Sequence, residues 1–442
     1  MGIKVVKFGG SSLADANQIK KAATIIKSDA ERRYVVPSAP GKRFSDDIKV
    51  TDMLYACYEK ASLGENFSED FEKIMSRYNE IIADLGIDLS LDEQFDKIRA
   101  NLATAGREYA ASRGEYLNGI VIAKYLGYEF VDAAEVIVFS DEGVMMRRET
   151  RAKLRERLAG IERAVIPGFY GKSLSGVIRT FSRGGSDVTG SLVARAVRAS
   201  VYENWTDVSG ILVADPRVVD SPIVIPVITY KELRELSYMG FSVLHEDAIF
   251  PVRTAGIPIN IRNTNSPEDA GTMIVPDSDT DGDVATRTIT GIAGKKGFCA
   301  INMEKGMMNS EVGFVRDVLN VFADLGINVE HMPSGIDTLS IIADASSLEG
   351  KQEQLLSALR RAVNPDVLEF EPEIAMLAVV GRGMRKTRGT AARIFASLAH
   401  GRINVKMIDQ GSSELNVIVG VHENDLHQAI RCIYDAFISS TL

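Results

Sequence analysis

The sequence predicts an α/β protein: a mostly parallel sheet with helices on both faces through about residue 286, then two smaller βαββαβ modules, one inserted in the other. Three observations carry this. From Ile3 to about Pro276, short apolar runs alternate with amphipathic stretches, as parallel strands joined by crossover helices require. Beyond that, INVEHM at Ile327–Met332 and INVKMI at Ile403–Ile408 repeat one another, each behind an amphipathic helix, 314–325 or 390–399. The strand count then points to an economical connectivity. Thr288–Lys295 is left over before the first unit, while the second runs out of chain after helix 424–438, so the spare strand completes the second. The expected domains are 1–286, then 297–370, then 287–296 plus 371–442.

In order, the first domain offers strand IKVVKF, helix 13–28, strand YVVPSAP, helix 51–62, the apolar runs GIVIAKYLG and AVIPGFYG, a helix at Val188–Ala199, and YENWTDVSGILVAD. Residues 263–286 mix turn formers with aspartates and read as a linker whose acids are solvated. Each later module is only about 70 residues, a marginal core, so the pair is expected to pack side by side.

With 45% hydrophobic and 25% charged residues among 442, the chain is neither disordered nor fibrous nor membranous. A net charge of -9 and a pI near 5.3 exclude a large nucleic-acid footprint. MGIKVV enters a strand at once, without the apolar run of a signal peptide, and Val6 stands where a myristoylation signal needs Ser or Thr; a cytoplasmic protein is expected. Cys57, Cys299 and Cys432 are far apart and read as small buried hydrophobes.

Ile3–Asp15, IKVVKFGGSSLAD, can hold a phosphate. Gly9 and Gly10 let the backbone approach an anion, Ser11 and Ser12 add hydroxyls and a helix cap, and the helix start offers free N–H groups. Lys7 supplies a full charge. A P-loop is absent, because the nearest match, GFYGKS at Gly168–Ser173, is too short between its glycines.

A Gly-Gly turn is also what any tight bend needs, and the company it keeps decides. PSAPG at Pro37–Gly41 and the capping pattern Thr51-Asp52 are, alone, ordinary turns and caps; SRGEYLNG places Glu115 after Gly114 at a helix break, by default on the surface. FSRGGSD at Phe181–Asp187 is a second anion-suited helix start, with Arg183 able to grip a carboxylate through two parallel hydrogen bonds and Asp187 able to position a cation. TDVSGILVADPR, Thr206–Arg217, closes a strand with Asp207 and a D-P-R turn.

KFGGSS, SAPG, RGE, SRGGSD and TDVSGI..ADPR, in that order, resemble the motif set of aspartate kinases in the amino-acid kinase family, and the C-terminal pair resembles tandem, ferredoxin-like ACT domains. The resemblance implies ATP-dependent phosphorylation of the L-aspartate side chain, entering lysine, threonine and methionine synthesis, with Mg²⁺ arriving on ATP. It implies that Lys7 stabilises the transferring phosphoryl group beside Gly9, Gly10 and Ser11. Ser38, Thr51, Glu115, Arg183 and Ser186 would hold aspartate, Glu115 facing its ammonium. Asp187 would orient the reacting groups, while Thr206, Asp207, Asp215 and Arg217 border the nucleotide. Effector contacts would fall on Gly313, Phe314, Val315, Ile327, Asn328, Val329 and Glu330. The carboxylate of Glu330 favours lysine over threonine there. A homo-oligomer is implied, a dimer through the ACT domains or a tetramer.

The chemistry fits independently. An attacking carboxylate is already ionised near neutrality, so no general base is needed, and His245, His331, His400, His422 and His427 all stand outside the phosphate turns. One departure is plain: where such kinases commonly read GAKVLHP, this chain has Ser242 for the lysine, which Lys231 or Arg217 would have to replace. The competing readings are a sibling kinase with another acceptor and a catalytically inactive amino-acid sensor.

Overall fold

A computed structural model describes residues 2–182, 184–241, 246–277 and 287–439. Arg183, Ser242 and His245 therefore lie outside the described residues, as do most of the linker aspartates.

The strands are β1 (Lys4–Phe8), β2 (Arg32–Pro37), β3 (Glu129–Phe130), β4 (Val138–Phe139), β5 (Ala164–Val165), β6 (Tyr170–Ser173), β7 (Ile178–Thr180), β8 (Val201–Thr206), β9 (Val227–Thr229), β10 (Ile259–Asn263) and β11 (Thr272–Val275), then β12 (Gly291–Glu304), β13 (Thr338–Asp344), β14 (Val367–Val380), β15 (Met407–Asp409) and β16 (Asn416–His422). The helices are α1 (Ala16–Lys27), α2 (Val50–Ser62), α3 (Ser68–Leu85), α4 (Asp92–Asn101), α5 (Arg107–Leu126), α6 (Ala133–Val136), α7 (Arg147–Arg157), α8 (Gly185–Val197), α9 (Tyr230–Tyr238) and α10 (Glu246–Arg253), then α11 (Phe314–Asp324), α12 (Gln352–Val363), α13 (Thr390–His400) and α14 (Leu426–Tyr434). No helix among the described residues is long and apolar enough to cross a membrane.

Two compact units result: 1–211 with 224–230 and 243–282, and 212–223 with 231–242 and 283–442. The second thus takes in two segments that strand alternation assigns to the first domain. One reason is Glu232, fully buried, which accepts from Thr290 Oγ1 at 2.7 Å and from Arg382 Nη1 at 2.6 Å.

The first unit is built on an eight-stranded sheet, β3-β5-β2-β1-β8-β10-β11-β9. Its strands run parallel except where β10 meets β11. Val5, Val6 and Phe8 of β1 are all buried, as they must be on a strand covered on both faces. Parallel register sets Lys7 beside Val36 and Asn204, so β1, β2 and β8 end together. A small sheet, β4-β6-β7, lies apart.

Three expectations change here. After the glycine pair comes only a 3₁₀ turn, Ser11–Leu13, and α1 starts at Ala16 with Asp15, not a serine, accepting from the Gln18 amide. GIVIAKYLG is not a separate apolar run but the last turns of α5; this helix buries residues on every side, which hides its period. Glu115 sits mid-helix in α5 and is buried, with no break and no surface.

The second unit holds an antiparallel sheet, β13-β12-β14-β16-β15. Thr288–Lys295 was expected as a strand of its own. Instead β12 runs through, with its register broken between Lys295 and Phe298, where Gly297 takes a positive φ of 92°. The first half pairs with Met376–Val380, the second with both β13 and the start of β14. INVEHM forms no ladder strand, only a bridge at His331, and Pro333 just beyond it has no donor with which to continue a ladder. INVKMI keeps just Met407 and Ile408 in β15.

Candidate active site

β1 delivers Lys7 to the carboxyl end of the sheet, nearly buried, with Nζ 2.7 Å from Asp187 Oδ1 and 3.4 Å from Asn204 Oδ1. Asn204 Nδ2 closes the triangle by donating to Asp187 Oδ1 at 3.0 Å. Asp187 occupies the first turn of α8, whose cap, Gly184, is left-handed at φ 57°. A helix start and an ammonium thus converge, an arrangement able to neutralise an anion.

The glycine turns touch through backbone. Gly10 O accepts from Gly41 N at 2.8 Å, and a Cβ on Gly41 would fall 2.5 Å from the Gly10 carbonyl carbon, so KFGG and SAPG can meet only with glycine at position 41. Gly9 N donates to Trp205 O. Ser38 N donates to Phe8 O, and its own carbonyl accepts from Asn118 of α5. Thr51 is the second residue of α2, whose first amide, Val50, donates to Pro40 O; the helix begins a residue earlier than the Thr-Asp cap suggested. Gly168 N donates to Pro37 O, and a Cβ on Gly168 would meet Ser186 Cβ at 2.5 Å. The start of α8 is thereby seated against the end of β2.

Glu115 stands one turn before Asn118 on α5. Burial pushes its carboxyl up to about 8, against backbone hydrogen bonding at Ala39, and Oε2 has no hydrogen-bond partner among the described residues. Thr206 Oγ1 donates to Asp207 Oδ1, which is exposed, as is Ser11. Asp215 and Arg217 belong to the second unit and pair with each other at 2.6 Å, Arg217 being largely exposed. Arg217 holds the Asp215 carboxyl below its usual value.

Two residues escaped the sequence reading. Asn204 carries no motif; its only signal is an amide on a mostly buried strand, beside the charged Glu203. Arg77 of α3 is buried and donates to Ile48 O at 2.8 Å, Ala14 O at 3.2 Å and Gly41 O, clamping the loops behind both glycine turns.

In the second unit, Gly313 caps α11 at φ 94°, Phe314 and Ile327 are buried, Val315 and Val329 pack on the same core, and Asn328 is exposed. Glu330 N donates to Ile342 O. Burial first, and Asp344 second, raise the Glu330 carboxyl, partly offset by His331. Cys57 and Cys299 are buried and Cys432 is half-buried.

A parallel sheet with glycine turns and a lysine–aspartate pair at its carboxyl end defines a phosphoryl-transfer enzyme of the amino acid kinase type. The profile of the amino acid kinase family matches residues 2–263, and that of an ACT domain matches 377–437. The chain is 38% identical to Aspartokinase 3 of Bacillus subtilis, with all of both chains covered. Among solved structures it resembles the aspartate kinase of Clostridium acetobutylicum, with TM-score 0.87, 51% identity, and 99% and 100% of the two chains covered. It also resembles E. coli aspartokinase III in complex with aspartate and ADP, at TM-score 0.73 and 25% identity over 98% of this chain and 99% of that one. The same enzyme in complex with lysine and aspartate gives TM-score 0.68 and 25% identity, covering 99% of each chain. The chain belongs to the amino acid kinase family, and within it to the aspartate kinases.

Proposed function

We propose that this chain transfers the γ-phosphoryl group of ATP to the side-chain carboxylate of L-aspartate, yielding 4-phospho-L-aspartate and ADP. The observation that carries the reading is the Lys7–Asp187–Asn204 triangle at the joint ends of β1 and β8. The aspartate oxygen forms the new bond to phosphorus as the bond to the ADP oxygen breaks. No proton changes hands, so the lack of a histidine in the triangle costs nothing. Lys7 neutralises charge on the transferring group, Asp187 fixes the ammonium, and Gly9, Gly10 and Ser11 line the phosphates.

Ser38, Thr51, Ser186 and Glu115 surround the acceptor. Glu115 suits the substrate ammonium because its carboxyl is buried with an oxygen unpartnered, and a cation beside it would restore the ionised form. Arg183 is proposed to grip a substrate carboxylate, and Thr206, Asp207, Asp215 and Arg217 to border the nucleotide. Mg²⁺ would ride on the nucleotide, held by phosphate oxygens and water, and would supply further charge neutralisation.

The ACT region is read as two modules, 297–370 and 287–296 plus 371–442, meeting along β12 and β14. Lysine is the proposed inhibitor, at Gly313–Val315 and Ile327–Glu330. A cationic side chain beside Glu330 offsets the burial of that carboxyl, which threonine cannot do. We place this chemistry at the entry to lysine, threonine and methionine synthesis, in a cytoplasmic homo-oligomer.

Incubation with ATP, Mg²⁺, L-aspartate and hydroxylamine tests the reaction, because an acyl phosphate is trapped as hydroxamate. Hydroxamate from aspartate, suppressed by lysine, is expected. Product from glutamate alone would move the chain to a sibling kinase, and lysine binding with no hydroxamate to a sensor.

A further inference from the structure

Away from the glycine turns, the far end of α8 meets α7 and α10 around a cavity of about 240 Å³ lined by Arg147, Arg148, Arg151 and Arg195 with Leu192, Phe250, Pro251 and Thr254. We propose that this cavity is a second anion site, which takes a small phosphate-bearing organic molecule and which the kinase reaction does not use.

Four arginines line it, and none has a carboxylate within ion-pair distance among the described residues. Elsewhere in the same unit arginines are matched: Arg32 with Glu203, Arg157 with Glu129 and Glu135, and Arg179 with Glu108. Part of the cluster has a structural role. Arg195 Nη1 donates to Pro251 O at 3.2 Å and to Thr254 Oγ1, closing the last turn of α10. Nearby, Arg155 Nε donates to Ala196 O at the end of α8. Such capping accounts for one cavity arginine and leaves Arg147, Arg148 and Arg151 unexplained. Arg147 lies over the exposed Phe250 ring, 4.1 Å from its centroid, which fixes one guanidinium at the rim. Burial and the neighbouring Arg151, Arg147 and Arg155 all depress the Arg195 pKa, so the cluster repels itself and a multiply charged anion would relieve it. Forked guanidiniums match phosphate oxygens in pairs, and Leu192, Phe250 and Pro251 offer an apolar wall to an organic portion.

The test is calorimetric titration of the full-length protein with tripolyphosphate in magnesium-free buffer, beside the double variant Arg147→Ser/Arg151→Ser and the variant Lys7→Met. The expected result is an affinity lowered at least tenfold in the double variant, whose hydroxamate assay is unchanged, and not lowered in Lys7→Met. Equal affinity in wild type and double variant would overturn the proposal, as would loss confined to Lys7→Met, which would assign the anion to the kinase turns. Citrate binding as tightly as tripolyphosphate would overturn the phosphate preference. Because the readout is binding, failure here leaves the kinase reading standing, and a failed hydroxamate assay leaves this one standing.

Discussion

Two ion pairs lie at the central strands, one joining β2 to β8 and the other joining β1 to α8, and they are opposites. At the amino side, Arg32 of β2 grips Glu203 of β8 at 2.8 and 3.3 Å. It also donates to Ile25 O and Ser28 Oγ, and its guanidinium lies over the Trp205 ring, whose Nε1 donates to Glu203 in turn. That network is closed. At the carboxyl side, Lys7 spends two donors, on Asp187 and Asn204, and the third meets no acceptor among the described residues. Glu203 and Asn204, neighbours on β8, thus belong to different networks: the closed one ties β2 to β8, and the open one, in the proposed reaction, leaves a lysine donor for a ligand. Incomplete satisfaction in a buried place marks function more sharply than charge alone.

The largest effect that could break this contrast is on stability. Arg32→Met leaves Glu203 buried without its partner and is expected to cost about 3–5 kcal/mol. A lowered denaturation midpoint should appear, while the kcat of the folded fraction is retained. A stable protein with lost turnover would mean that the two pairs are not distinct in role.

Lys7→Met should do the reverse. Turnover is expected to fall by roughly 10²–10³, with a smaller change in aspartate half-saturation, if the ammonium serves the transition state. The midpoint should move less than in Arg32→Met. A change in kcat of only a fewfold would remove Lys7 from the reaction.

Glu115 sharpens the same idea through pH. Its native carboxyl sits at about 8 against an ordinary 4.5. Between those values the native state holds a proton that the unfolded chain has released, so stability falls as pH rises through that window. Glu115→Gln should abolish that slope and raise the midpoint at pH 8 by several degrees while weakening aspartate binding. Aspartate binding to the wild type below pH 8 should release a proton, read as a buffer-dependent heat. Heats independent of the buffer would separate Glu115 from the substrate ammonium.

Much of this was legible in the residues. The alternation of apolar runs gave the parallel sheet, since two-sided burial writes Val5, Val6 and Phe8 as one block, and turn chemistry gave Gly10, Gly41 and the start of α8. What stayed hidden has physical causes. α5 is buried all round, so its period vanished and Glu115 read as surface. The cap at Asp15 lay behind an unforeseen 3₁₀ turn. β12 reads as two strands because Gly297 interrupts its pattern, although the chain continues straight through a register break. Asn204 and Arg77 act through tertiary contacts 17 to 197 residues away in sequence, which no local spacing records.

Asn204 supplies the smallest and most discriminating test. Its amide is 3.0 Å from Asp187 and its carbonyl a long 3.4 Å from Lys7, so it positions the pair rather than carrying charge. Asn204→Ala should lower kcat by about tenfold, near the cost of one charge-assisted hydrogen bond, with aspartate half-saturation little changed. If Asn204 acts only through Lys7, adding Asn204→Ala to Lys7→Met should cost almost nothing further, because groups that work as one unit are not additive. Full additivity of the two losses would show that Asn204 reaches the reaction by another route, most directly through Asp187, and that the open ion pair is a looser assembly than its geometry implies.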